Sequence, residues 1–109
     1  LVFASDEYVS ELKKKYFKMN QYTDVIAFRL NEYGAPFVEG EVYISLARAK
    51  ENAKIFDEPY SREVSRLIIH GCLHLIGLKD KTNIEKENMT NNEDAILKEI
   101  NWAGLFKDQ

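Results

Sequence analysis

The sequence predicts an α+β fold: a small mixed β-sheet packed with helices, with a central metal-binding helix. Three features predict it. Residues 23–30 and 40–45 are short runs rich in β-formers, separated by a loop that holds Gly34 and Pro36. Residues 61–78 place apolar side chains nearly all round a helical wheel, the pattern of a helix buried in a protein's centre. The one polar stripe on that wheel is Glu63, His70, His74 and Gly77, and it holds both of the chain's 2 histidines.

At 109 residues the chain reads as one domain, 1–109, with one modest core. It opens on Leu1-Val2-Phe3-Ala4, which looks like the inside of a strand, with no initiator Met, so further residues are expected upstream. Ser5 can cap a helix, and Asp6 and Glu7 suit its positive first turn. Tyr8, Val9, Leu12 and Tyr16 recur at helical spacing and extend that helix over about residues 6–17. Lys13, Lys14, Lys15 and Lys18 have two readings. They are a solvated helix end whose cations suit the dipole, or a patch that contacts phosphate.

Met19 to Tyr22 is a polar turn. In the strand over 23–30, Ile26, Phe28 and Leu30 face one side and Val25 and Ala27 the other, as for an inner strand. Over 40–45, Val42 and Ile44 alternate with Glu41, Tyr43 and Ser45, which suits an edge strand or one beside a cleft. A helix over about 46–56 is broken by Asp57-Glu58-Pro59. Ser61 is the expected cap of the histidine helix and Gly77 its stop. Thr82-Asn83-Ile84-Glu85 is a capping-box sequence that starts another helix. Met89, Ile96, Ile100 and Ala103 mark its expected buried face, and Thr90-Asn91-Asn92-Glu93 is a second capping box where it can break. Trp102 and Phe106 look like closing core residues.

Composition narrows the class. The chain is 45% hydrophobic and 30% charged, ordinary for a globular domain. No apolar run reaches the ~18 residues of a membrane span. A net charge of -3 argues against a uniformly basic nucleic-acid coat but leaves room for a local basic patch. The single cysteine, Cys72, cannot form an internal disulfide, which fits a reducing, cytoplasmic setting.

The chemistry concentrates in residues 70–80, H-G-C-L-H-L-I-G-L-K-D, a metzincin-like H-x-x-x-H-x-x-G-x-x-D site. Residues four apart on a helix share a face, so His70 and His74 aim two imidazoles at one spot. A glycine turn at Gly77 can bring the Asp80 carboxylate back to them. Two imidazoles, a carboxylate and an open position outline a catalytic Zn²⁺ site. Two hydrogen-bonded core histidines would be the plain structural alternative. Glu63 is either a partner of His70 or an acidic residue in the first helical turn. Metal proteases place a glutamate base directly after the first histidine, in H-E-x-x-H. Here Gly71 occupies that position, which leaves room above the metal and removes the base.

The chain resembles the YbeY family, bacterial endoribonucleases and rRNA maturation factors with the motif H-G-x-L-H-L-x-G-Y-D-H. Besides residues 70–80, Thr23-Asp24-Val25-Ile26-Ala27-Phe28 is similar to the family's T-D-V-L-S-F strand. Gly40-Glu41-Val42-Tyr43-Ile44-Ser45 is similar to its G-D-I-x-I-S strand, and Glu85 and Met89 fit its E-x-x-x-M pattern. Two departures stand out. Asp80 replaces the family's third histidine, an acceptable Zn²⁺ ligand that makes the site more oxygen-rich, so another divalent metal is open. Phe17 follows Tyr16 where the family carries an arginine thought to bind RNA phosphate; Lys18 is the neighbouring substitute and Arg29 a more distant one.

The resemblance implies a zinc-dependent endoribonuclease that cleaves single-stranded RNA in 16S rRNA 3′-end maturation and ribosome quality control. His70, His74 and Asp80 would hold one Zn²⁺ and its water, with Lys18 on phosphate. Its implied partners are rRNA and the small ribosomal subunit, with ribosomal proteins or an assembly GTPase as further candidates and neither membrane nor DNA. It also implies that a strand and a helix precede residue 1. The competing readings are a non-catalytic ribosome-assembly factor with a structural metal, and a metallopeptidase-like hydrolase, which Gly71 disfavours.

Overall fold

The computed structural model describes residues 1–17 and 24–102, the side chains of 4, 6 and 13–17 excepted. In chain order the elements are β1 (Val2–Ala4), α1 (Asp6–Phe17), β2 (Val25–Arg29), β3 (Gly40–Ser45), α2 (Leu46–Ile55), α3 (Tyr60–Leu75) and α4 (Asn83–Glu99). Lys18, the turn at 19–22, Ala103 and Phe106 lie outside the described residues. The described strands form a mixed sheet of order β1-β3-β2, with β1 parallel and β2 antiparallel to β3. The α+β class is as the sequence predicts.

The strand roles are not. β3 is the central strand, and β2 lies at the edge of the described sheet. The polar residues of β3 misled because they are amphipathic rather than solvated. The Tyr43 ring packs edge-on against Phe28 at 5.8 Å and tilted against Tyr8 at 6.1 Å. Its hydroxyl donates to Glu41 Oε2 at 3.3 Å. Alternation reports the polarity of a strand's faces, not how many neighbours its edges have.

Val25 pairs with Ile44 and Ala27 with Val42, so these four side chains share one face of the sheet. Against that face α3 sets Val64, Leu67 and Leu75, joined by Ala49 of α2. On its other side α3 sets Ile69 and Leu73 against Met89 and Leu97 of α4. The histidine helix is thus the middle layer between sheet and α4. Leu67, 1% exposed, alone contributes roughly 1.5–3 kcal/mol by burial. The enclosure is incomplete, since Cys72 and Ile76 are exposed.

Gly71 lets this layer form. A Cβ there would lie 2.5 Å from Val42 Cγ1 and 3.3 Å from Val25 Cγ2. The glycine faces the sheet, so its role is close helix–sheet approach, and the expectation that it clears space above the metal is corrected.

The helix ends also depart in part from expectation. Ser5 and Ser45 cap α1 and α2, accepting from the Tyr8 and Arg48 amides at 3.2 Å each. The cap residue of α3 is Pro59, with no side-chain bond, while Ser61 lies in the first turn. The Ser61 carbonyl accepts from Ser65 Oγ at 2.8 Å. The Thr82–Glu85 capping box forms: Thr82 Oγ1 accepts from the Glu85 amide at 3.1 Å, and Glu85 Oε1 from the Thr82 amide at 2.9 Å. The second capping box does not form, and α4 runs unbroken through residues 90–93. Among the described residues no helix is long and apolar enough to cross a membrane.

Candidate metal centre

The site is built by the last turn of α3 and the turn that follows. His70 and His74 lie one helical turn apart, and their rings meet edge-on with centroids 4.6 Å apart. The helix then stops in a Schellman motif: the Leu78 amide donates to the Leu73 carbonyl at 3.0 Å and the Gly77 amide to the His74 carbonyl at 3.0 Å. Gly77 sits at φ +107°, a conformation that side chains disfavour. Leu73 and Leu78 share an apolar cluster, the contact that accompanies this motif. The chain is thereby reversed and Asp80 returns to the histidines.

Three donor atoms converge. His70 Nε2 and His74 Nε2 are 3.1 Å apart, and Asp80 Oδ2 is 3.2 Å from the first and 3.3 Å from the second. A tetrahedral ion about 2.0–2.1 Å from each donor would set edges of about 3.3–3.4 Å. The observed triangle fits that requirement within a few tenths of an ångström, and among the described residues it is the group that could hold a metal. Asp80 closes the triangle with one carboxylate oxygen.

The hydrogen bonds fix which nitrogen carries a proton. His74 Nδ1 lies 2.9 Å from the Leu78 carbonyl, which can only accept, so Nδ1 is the protonated nitrogen. His70 Nδ1 lies 2.5 Å from Glu93 Oε2 and donates to that carboxylate. Both Nε2 lone pairs therefore point at Asp80 Oδ2, an arrangement stabilised by a proton on one ring or by a cation between them. Burial is the largest influence on His70 and lowers its pKa. The hydrogen bond and charge of Glu93, with the charges of Asp80 and Asp24, outweigh it and set the pKa above its ordinary 6.5.

Glu93 was not singled out from the sequence as a site residue. It is 3% exposed, beside Met89 and Leu97 on the buried face of α4. The signal was a carboxylate at i+4 from one buried apolar residue and i−4 from another. Glu63, offered as a partner of His70, serves Arg66 and Asn52 instead.

Arg29, expected from the sequence as a distant candidate for contacting phosphate, is engaged elsewhere. Its Nη1 donates to the Leu75 carbonyl at 2.6 Å, its Nη2 to the Glu32 carbonyl at 2.9 Å, and its Nε to Asn31 Oδ1 at 2.6 Å. The guanidinium also covers the Tyr33 ring, 4.6 Å from its centroid. It ties the β2–β3 loop to the end of α3, beside the site but turned into backbone.

The chain is similar to known proteins over most of its length. The family model described as endoribonuclease YbeY matches residues 1–101. A relative named endoribonuclease YbeY from Cytophaga hutchinsonii is 41% identical over 96 residues, 88% of this chain and 66% of its own length. Another of that name, from Phocaeicola vulgatus, is 40% identical over 96 residues, 88% of this chain and 68% of its own. The chain therefore spans about two thirds of the curated relatives it matches. A solution structure of a Thermotoga maritima protein superimposes with a TM-score of 0.54 at 24% identity, covering 89% of this chain and 66% of that one, a likeness of fold.

Proposed function

The chain belongs to the YbeY family, and on that premise we propose that it is a metal-dependent endoribonuclease of single-stranded RNA. Its place would be 16S rRNA 3′-end maturation and ribosome quality control in the cytoplasm, on the small ribosomal subunit. The name carried by its relatives supports the reaction class. The observation that carries the metal dependence is the triangle of His70 Nε2, His74 Nε2 and Asp80 Oδ2, with edges of 3.1–3.3 Å.

In this reading His70, His74 and Asp80 hold one divalent ion, Zn²⁺ being suited to two imidazoles and a carboxylate. When bound, such an ion lowers the pKa of water toward neutrality and polarises a phosphate oxygen. The protein's own share is orientation. Glu93 Oε2 holds the Nδ1 proton of His70, the Leu78 carbonyl holds that of His74, and both Nε2 atoms stay free to bind. Gly71 offers no side-chain base and faces the sheet, which separates this site from the H-E-x-x-H peptidases. Lys13, Lys14, Lys15 and Lys18 would steer the RNA backbone, an attraction that weakens with salt.

A second reading is a ribosome-assembly factor that keeps the metal but does not cleave. Phe17 at the arginine position favours it, as does the use of Arg29 on backbone carbonyls. The two separate in one assay. Metal-loaded protein should cut a single-stranded fragment of the 16S rRNA 3′ region, and His70→Ala or chelation should abolish cutting. Binding without cutting would select the assembly factor, and cutting that survives chelation would sink the metal mechanism.

A further inference from the structure

We propose that Glu93 is a positioning residue of the metal centre, held in place by Arg66 and Glu63. The inference rests on the metal reading of His70, His74 and Asp80. A carboxylate that is 3% exposed needs partners for its charge, and the two Glu93 oxygens have different ones. Oε2 accepts from His70 Nδ1 at 2.5 Å, and Oε1 lies 3.4 Å from Arg66 Nη1. Arg66 is itself gripped in bidentate fashion by Glu63, 1% exposed, through Nε at 2.8 Å and Nη2 at 2.6 Å. Glu63 Oε2 also accepts from Asn52 Nδ2 at 3.1 Å, which lies 3.0 Å from Asp24 Oδ2. The chain of contacts thus begins beside β2, crosses α2, α3 and α4, and ends on a ligand ring. Anchored on so many elements, Glu93 has little freedom to move.

The charges assign its task. Glu63 and Glu93 share one guanidinium, so the pair keeps an excess of negative charge against the Nδ1 side of the His70 ring, and Asp80 adds its own charge on the Nε2 side. A divalent cation on Nε2 of that ring offsets the Glu93 and Asp80 charges together. Glu93 therefore keeps Nδ1 protonated, fixes the plane of the ring and strengthens Nε2 as a donor. For His74 the neutral Leu78 carbonyl supplies orientation without charge. His70 is on this ground the stronger of the two imidazole ligands.

The test uses the full chain, stripped of metal, titrated with Zn²⁺ by calorimetry and with Co²⁺ by visible absorption. Glu93→Gln keeps the shape and removes the charge; it should weaken Zn²⁺ binding by roughly 10–100-fold and shift the Co²⁺ bands. Glu93→Asp, which draws the carboxylate back from His70, should lose affinity in the same range and serves if Glu93→Gln folds poorly. Leu97→Ala, one turn along α4 and 3% exposed, controls for packing. It should lower the melting temperature while changing affinity by less than about threefold. Unchanged affinity in both Glu93 variants, or an equal loss in Leu97→Ala, overturns the role of Glu93 alone. A wild-type chain that binds no Zn²⁺ overturns the metal reading and this inference together.

Discussion

Gly71→Ala is the perturbation whose sign is least intuitive. In an ordinary helix interior the change gains about 1 kcal/mol. Here the new Cβ would lie 2.5 Å from Val42 Cγ1, 3.2 Å from Val42 Cγ2 and 3.3 Å from Val25 Cγ2. Carbon contacts settle at about 3.5–4.0 Å, so the shortest falls short by about 1 Å. Val42 cannot yield freely: it is 4% exposed, on the central strand, and β-branched with a stiff χ1. Overpacking of this kind costs roughly 1–3 kcal/mol. Set against the helix gain, the expected net effect is a loss of about 1 kcal/mol, or about 4 °C in melting temperature. Urea unfolding of the metal-free chain measures it. In a Val42→Ala background only the 3.3 Å contact with Val25 Cγ2 is left, and the same substitution should turn stabilising, by at most about 1 kcal/mol. A stabilising Gly71→Ala in the wild-type background, or equal effects in both, would refute the packing role of this glycine.

Three further outcomes are expected. Gly77→Ala places a side chain at φ +107° and should cost about 1 kcal/mol in urea unfolding; it should also weaken Zn²⁺ binding, because the turn delivers Asp80. Arg66→Met leaves Glu63 and Glu93 buried without their cation and should cost about 3 kcal/mol by the same assay; a loss below about 1 kcal/mol would show the network to be dispensable. In the metal-free chain, the raised pKa of His70 makes its protonated form stabilising. That contribution is fully present below the unfolded value near 6.5 and is lost as pH rises through the higher folded value. The urea midpoint in EDTA should accordingly fall with rising pH across that window, less steeply in His70→Gln.

Much of the site could be read from sequence because its logic is local. The His70–His74 pair at i, i+4, the stop at Gly77 and the box at Thr82 each act within one or two turns, and the structure has all three. What escaped was set by contacts distant in sequence. Thr90 and Glu93 carry a capping-box pattern, but Glu93 meets Arg66 across 27 residues and His70 across 23. Those partners hold α4 continuous where local chemistry favours a break. Gly71 likewise looked like a gap above the metal because its neighbours, Val42 and Val25, come from strands far back in the chain. The central place of β3 was hidden because pairing on both edges leaves no mark on side-chain alternation.

Anomalous diffraction from crystals of the Zn²⁺-loaded chain would locate a divalent ion held by two imidazoles and Asp80. The expected result is one strong peak about 2.0–2.2 Å from His70 Nε2, His74 Nε2 and Asp80 Oδ2, with the Glu93–His70 contact intact. Zinc bound elsewhere, or held by the histidines with Asp80 turned away, would contradict it.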